Sequence, residues 1–455
     1  MANTALTRSF GTATNTQKFT ISVWVKRNSL ATSGYQHIWH TTDGSYDGYF
    51  RFRNSENQLQ LNMGIASPST PINYRTNRVF RDVNAWYHIV ASVDTTLSTS
   101  SDRVKFYVNG TRETSFQSSD APTQNNSYDY LSSSGLGYIG RDATSAQHYF
   151  DGSMSHFHFI DGTAYDASAF GSTDATTGEW KINTSPSVTY GNNGFFILKD
   201  GNSVTDQSTN TNNFTVASGT LTNTEDCPSN VFCTWNPLNS YYGGGTFSWG
   251  NNKIVLPNKN GAWNTGTLGM TKGKYYWEIK VGGDANGGEV QVGIADKSPN
   301  GNSSGSTAGT SFGYNSNGEY GIYAWNGAFI GNAVPNSYTA YGATSCEDGY
   351  IMIAVDLDNN KFYGGLNGTW FASGNPSTGT NGKTIQAVED TVDKCYYPAV
   401  STYQGYSGTV ETNFGNGYFA DNAVSSAGTN ASGNGIFKYD VPTGYTALST
   451  KGLNL

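Results

Sequence analysis

The sequence predicts an all-β protein built as two tandem β-sandwiches. Three observations carry that expectation. Apolar residues recur with period two and almost nowhere with a helical period; Gly, Asn and Asp punctuate the runs at short spacing; and one strand–turn–strand pattern occurs in both halves. Composition agrees: of 455 residues, 13% are charged and 14% aromatic, with 55 Gly, 30 Tyr and 10 Trp. The rings supply apolar area that the few aliphatic side chains do not, and they set the chain apart from disordered sequences, which are poor in them.

Taken in order, Phe19, Ile21, Val23 and Val25 share one face of the run 19–25. Residues 86–93 and 104–108 alternate likewise, and the second run ends at Asn109-Gly110, a pair suited to the positive φ of a two-residue hairpin turn. Residues 166–170 read as about one helical turn, and 195–198 and 214–216 as closing strands of the first half. Later strands are expected at 275–281, 289–295, 320–325, 350–357 and 361–366. The run 86–94 followed by 105–111 is echoed by 350–356 followed by 361–369: a buried strand reaches an Asp, turns, and returns as an aromatic strand closed by Asn-Gly-Thr. The polar, Pro-containing stretch 222–230 places the boundary, giving domains 1–225 and 226–455.

Several classes are disfavoured. A net charge of −8 leaves no basic surplus for a phosphate backbone, so nucleic acid is not an expected partner. Cys227, Cys233, Cys346 and Cys395 are too few for a disulfide scaffold and lack paired CxxC spacing; idle thiols are expected, with a Cys227–Cys233 bridge across a short loop left open. The first residues hold no apolar core of signal-peptide length, and no run approaches 18 apolar residues, so membrane insertion is not expected.

The first half resembles a laminin-G-like domain of the concanavalin-A-like superfamily, through 19–25, 86–90, Phe106-Tyr107-Val108-Asn109-Gly110, Ile139-Gly140-Arg141 and 150–157. The second resembles a SPRY domain, through 273–281, Val292-Gly293-Ile294-Ala295, Asp348-Gly349-Tyr350-Ile351, 355–363, Leu366-Asn367-Gly368, Tyr397-Pro398-Ala399-Val400 and Asn413-Phe414-Gly415. The resemblances imply two concanavalin-A-like jelly-roll β-sandwiches in tandem. Their combination, with the segments 226–230, 236–238 and 441–450, is similar to virion proteins of tailed phages of marine type. That implies a virion component made in the host cytoplasm: a tail fibre or tail-tip protein adhering to a host surface glycan or protein, or alternatively a capsid decoration protein binding other virion subunits. A homo-oligomer is implied, trimeric if a fibre. A bacterial surface adhesin is disfavoured by the missing signal.

An enzyme comes last. Relatives that cut β-glucans carry Glu-x-Asp-x-x-Glu on one strand, and no such string occurs here. Asp356-x-Asp358-x-Asn360 imitates the start of a calcium loop but continues with Lys361 and Asn367 where Gly and Glu belong. Gly135-x-Gly137-x-x-Gly140 precedes a strand, not a helix, and belongs to a turn. All six His lie in the first half; His156 and His158 share a sheet face, without an evident third metal ligand. No cofactor is required. Laminin-G-like domains often hold calcium at the loop rim, and Asp43, Asp47, Asp142 and Asp151 are the loop carboxylates that would supply its oxygens. For ligand binding, Trp263, Tyr314, Tyr320, Trp325 and Trp370 are expected at loops or strand ends of the second half, where a minority would face outward.

Overall fold

A computed structural model describes residues 3–454 except 31–32, 65–70, 84, 134, 200–202, 243–244, 260, 283–289, 298–317, 332–337, 343–344 and 404–405. The chain divides into two compact units, Met1–Asn223 and Thr224–Leu455. Both are all-β, and no helix among the described residues is long and apolar enough to cross a membrane.

The strands of the first unit are β1 (Ala5–Ser9), β2 (Lys18–Arg27), β3 (Tyr35–Thr42), β4 (Asp47–Arg53), β5 (Gln58–Met63), β6 (Ile72–Val79), β7 (Tyr87–Asp94) and β8 (Val104–Val108). They continue as β9 (Thr111–Glu113), β10 (Phe116–Asp120), β11 (Leu136–Ile139), β12 (Gly152–Asp161), β13 (Gly171–Thr173), β14 (Trp180–Ile182), β15 (Phe195–Ile197) and β16 (Thr215–Ser218). Among the described residues, eight form one antiparallel sheet in the order β10-β6-β5-β4-β3-β11-β1-β16, and six a second, β15-β12-β2-β7-β8-β9. The two sheets face each other across one core. Phe19, Ile21, Val23 and Val25 of β2 meet Trp39, Phe50, Phe52, Leu59 and Leu61 of the larger sheet there, all fully buried.

The β8–β9 turn is the two-residue hairpin expected at Asn109-Gly110, with φ of 47° and 77°. Type I′ turns need a left-handed backbone at both central residues, which Asn and Gly tolerate best. The expected helical turn is a single 3-10 turn, Ala167–Ala169, capped by the Asp166 side chain accepting from the Ser168 N–H.

The six-stranded sheet is buried on both faces, which period-two reading of a half-exposed strand does not anticipate. Segment 165–190, with the β13–β14 hairpin, lies over its outer side and brings Phe170, Trp180 and Tyr190 onto Val90 and Ile160. His88, His156 and His158 therefore sit in an aromatic layer rather than on a wet surface. His158 stacks on Phe196 at 4.0 Å, and His88 lies between Trp24 and Trp180 at 4.9 and 5.9 Å.

In the second unit one sheet runs Trp235–Tyr241, Trp263–Gly266, Tyr397–Thr402, Val290–Ala295, Glu319–Tyr323, Ala328–Ile330 and Tyr338–Thr339. The other runs Thr246–Ser248, Lys253–Leu256, Gly408–Asn413, Lys274–Gly282, Tyr350–Asp356, Lys361–Leu366 and Thr369–Trp370. Tyr275, Trp277, Ile279 and Val281 point into the inter-sheet core, while Tyr276 on the opposite face packs with Phe437, Val441 and Tyr445 of the C-terminal segment. Asp356 accepts from the Asn359 N–H within the hairpin and pairs with Lys274 at 2.9 Å, and Asp358 accepts from the Gly273 N–H, so both carboxylates are engaged in turns and strand contacts. All four cysteines are free; the bridge left open between Cys227 and Cys233 is not formed.

Candidate functional site

The outer face of the eight-stranded sheet is where unusual side chains collect. Its residues follow from register. One row crosses the strands as Tyr138, His40, Tyr49, Asn62, Asn73 and Asp120. A second runs His37, Arg51, Gln60, Arg75 and Ser118. His37 and His40 share this face because β3 carries a bulge between His37 and Trp39, which turns both Ile38 and Trp39 into the core. An extra residue in one strand re-aims the side chains that follow it.

Arg51 organises the face. Its guanidinium carbon lies 3.6 Å from the centroid of Tyr35 and 3.8 Å from that of Tyr49, a doubled cation–π contact. Nε and Nη2 donate to Gln60 Oε1 at 3.3 and 3.2 Å, and Nη1 approaches His37 Nε2 at 3.5 Å. Gln60 in turn donates to Asn73 at 3.1 Å, and Asn73 to Asp120 at 3.0 Å. The result is a hydrogen-bonded chain of planar groups across four strands, bordered by half-buried Tyr rings.

Beneath it lie His37 and His40, stacked at 5.2 Å, with His148 stacked beyond His37 at 6.1 Å. Burial, with His40 and Arg51 nearby, pushes the His37 imidazole down to about 2. His40 is lowered by burial against the opposing pull of Asp142 and Asp47. His40 Nδ1 accepts the Ala143 N–H at 3.0 Å, and Nε2 lies 3.4 Å from Asp47 Oδ1. Nδ1 of His37 is buried without a hydrogen-bond partner.

The four carboxylates expected to hold calcium do not form one set: Asp47, at the start of β4, and Asp142 both lie near His40, and the others close separate contacts. Asp43 closes its own turn through the Ser45 and Tyr46 N–H groups, Asp142 closes another through Thr144 and Ser145, and Asp151 binds the Ser29 hydroxyl. Among the described residues the one set of three or more potential ligands is His37, His40 and Asp142, whose ligand atoms lie within 4.8 Å of one another. Two imidazoles and one carboxylate do not make the all-oxygen cage calcium takes, so these residues do not fit it.

The aromatic candidates of the second unit separate. Trp263 is 4% exposed and packs with Ala295 and Ala399; Tyr320 is 3% exposed in the core, its hydroxyl accepting from the Gln386 N–H. These two are corrections to the expected ligand contacts: Trp263, at a strand end, is covered on the outer face of its sheet, and Tyr320 points into the inter-sheet core. Trp370 is half-buried against Tyr276 and Tyr363, and Tyr314 lies outside the described residues. Trp325, in the turn between Glu319–Tyr323 and Ala328–Ile330, is 46% exposed.

Residues 2–168 match the family described as the Concanavalin A-like lectin/glucanases superfamily, and the fold of the first unit is a concanavalin A-like jelly roll. Comparison with curated proteins finds no match. Among solved structures, the chain is similar to the SPRY domain of human HERC1 at 15% identity, covering 39% of this chain and 96% of that one, with a TM-score of 0.28. It is similar to a heptameric SAP-like pentraxin from Limulus polyphemus at 15% identity, over 36% of this chain and 71% of that one, TM-score 0.26. A candidate carbohydrate binding protein from Bacteroides ovatus shares 20% identity over 49% of this chain and 58% of that one, TM-score 0.33. Likeness this distant carries nothing about what this chain binds.

Proposed function

We propose that the chain is a non-enzymatic adhesion protein whose first unit binds a surface glycan on the outer face of its eight-stranded sheet. The observation that carries this reading is the Tyr35–Arg51–Tyr49 cluster joined to the Gln60–Asn73 amides. Tyrosine rings offer apolar faces for the C–H face of a sugar, while guanidinium and amide groups offer donors and acceptors spaced along strands for its hydroxyls. A flat sheet face fixes those groups before the ligand arrives, so little ordering cost falls on binding. Loop rings such as Trp325 fit the same reading as a second contact, to a protein or glycan.

We place this adhesion on a virion surface, as a tail fibre or tail-tip component; support for that location is the resemblance of the paired domains and their junctions. The test is binding of purified protein to glycan arrays and to intact bacterial cells, with particles lacking the protein as the other surface. Saturable glycan binding lost at least tenfold in Arg51→Ala and Tyr49→Ala supports the reading. Binding to stripped particles with none to glycans or cells replaces it with a decoration role, and release of reducing sugar from a bound polysaccharide overturns the non-enzymatic part.

A further inference from the structure

We propose that His37, His40 and Asp142 hold a first-row transition-metal dication, with Asp47 as the outer partner of His40. This is independent of the glycan reading. The ligand atoms of the three residues already lie within 4.8 Å of one another. Around a tetrahedral zinc with bonds of about 2.0–2.1 Å, ligand atoms sit roughly 3.4 Å apart. The set is therefore slightly open, and the part that must close is the turn carrying Asp142, whose residues 144–147 are exposed.

The second observation is an unsatisfied nitrogen on His37. His37 is 0% exposed, yet its Nδ1 has no hydrogen-bond partner. A buried, unpaired imidazole nitrogen is costly, and a ligand at this point removes the cost. Softness selects the class of ion: imidazole suits zinc, nickel, copper and iron, whereas calcium wants oxygens.

The second shell fixes which atoms act. Metal-binding histidines hold their other nitrogen toward a carboxylate or carbonyl, which sets the tautomer. His40 Nε2 lies 3.4 Å from Asp47 Oδ1, while Nδ1 faces the Asp142 turn through the Ala143 N–H. His40 thus ligates through Nδ1, releasing Ala143, and donates from Nε2 to Asp47. His37 ligates through its unpartnered Nδ1, which moves its ring proton to Nε2, 3.5 Å from Arg51 Nη1. Arg51 then opposes the bound ion, by charge and by that donor–donor contact, so removing its charge tightens the site.

Calorimetric titration of the full chain with Zn²⁺ and separately with Ni²⁺, after chelator treatment, tests this. The expected result is one equivalent bound, and affinity lowered at least tenfold in His37→Gln and in Asp142→Asn. Asparagine keeps the oxygen that closes the turn, so Asp142→Asn separates ligation from folding. Asp47→Asn weakens binding by about tenfold through His40, and Arg51→Gln strengthens it. No stoichiometric binding, or binding unchanged in both His37→Gln and Asp142→Asn, overturns the proposal, as does Ca²⁺ competing with Zn²⁺ on equal terms.

Discussion

His37 and His40 stack with ring centroids 5.2 Å apart and planes 20° from parallel, on the same face of a strand whose alternation would send them to opposite sides. The bulge between His37 and Trp39 makes the pairing, and with it the ledge on which Arg51, Tyr35 and Tyr49 rest.

Histidine burial gives the first unit a dependence on acid. Burial, with His156 adding to it, pushes His88 down to about 3; its Nδ1 accepts from Trp180 Nε1 at 3.0 Å and its Nε2 meets Ser22 Oγ at 2.9 Å. A histidine with a lowered folded-state pKa contributes stability that is present above its unfolded value near 6.5 and is lost as pH falls toward the folded value. Denaturation of wild type and His88→Gln should therefore converge on acidification. The difference between them shrinks by about 1–2 kcal/mol from pH 6.5 to pH 5, at roughly 1.4 kcal/mol per unit when fully developed. A difference constant over that range would show that His88 charges freely in the fold.

The second unit holds a buried carboxylate with the opposite sign. Glu278 is 0% exposed and accepts from the Tyr276 hydroxyl at 2.9 Å and the Lys438 and Tyr439 N–H groups at 2.8 Å each. Burial raises its pKa although those donors pull it down. Stability from a raised group is complete below the unfolded value near 4.3 and lost as pH rises through the folded one. Glu278→Ala should cost about 3 kcal/mol or more, because it strands the donors that tie the C-terminal segment to the sheet. Glu278→Gln should cost less and should gain on wild type as pH rises above about 4.3; urea titrations at several pH values read both effects.

Exposure divides two tryptophans that the sequence treats alike. Trp263→Ala empties a packed site and should destabilise the second unit by about 3–5 kcal/mol. Trp325→Ala should change stability by less than about 0.5 kcal/mol, leaving any loss of ligand binding interpretable as contact. Equal melting shifts for the two would contradict the packing described.

The Asn109-Gly110 turn also anchors the lid over the six-stranded sheet. A Cβ at Gly110, where φ is +77°, would lie 2.3 Å from the Trp180 ring. Gly110→Ala should cost more than about 1 kcal/mol through the strained φ alone. It should also expose Trp180, visible as a red shift in tryptophan fluorescence before global unfolding.

Much of the architecture was legible in local signals. Period two set the inward faces of β2, β7 and β8, and Asn-Gly set the β8–β9 and 366–369 hairpins, since only residues tolerant of positive φ fit both central positions. The calcium expectation rested on loop carboxylates being near one another, and loop proximity is decided by how distant strands stack, not by spacing. The ring candidates failed for related reasons: one sequence cannot say that the second face of the Trp263 strand is covered, nor that Tyr320 is turned toward the opposite sheet.

By itself, then, the sequence determined what short-range stereochemistry controls: the strand class, the hairpins, the apolar stripes of β2, β7 and β8 and the turn-forming role of Asp356. Tertiary structure alone decided the rest. A single inserted residue in β3 turned two histidines to one face, neighbouring strands aligned Arg51 with Tyr35 and Tyr49, and the turn after β11 brought Asp142 to them. Bulges and strand order depend on packing between residues far apart in the chain, and a linear pattern of polar and apolar residues does not encode them.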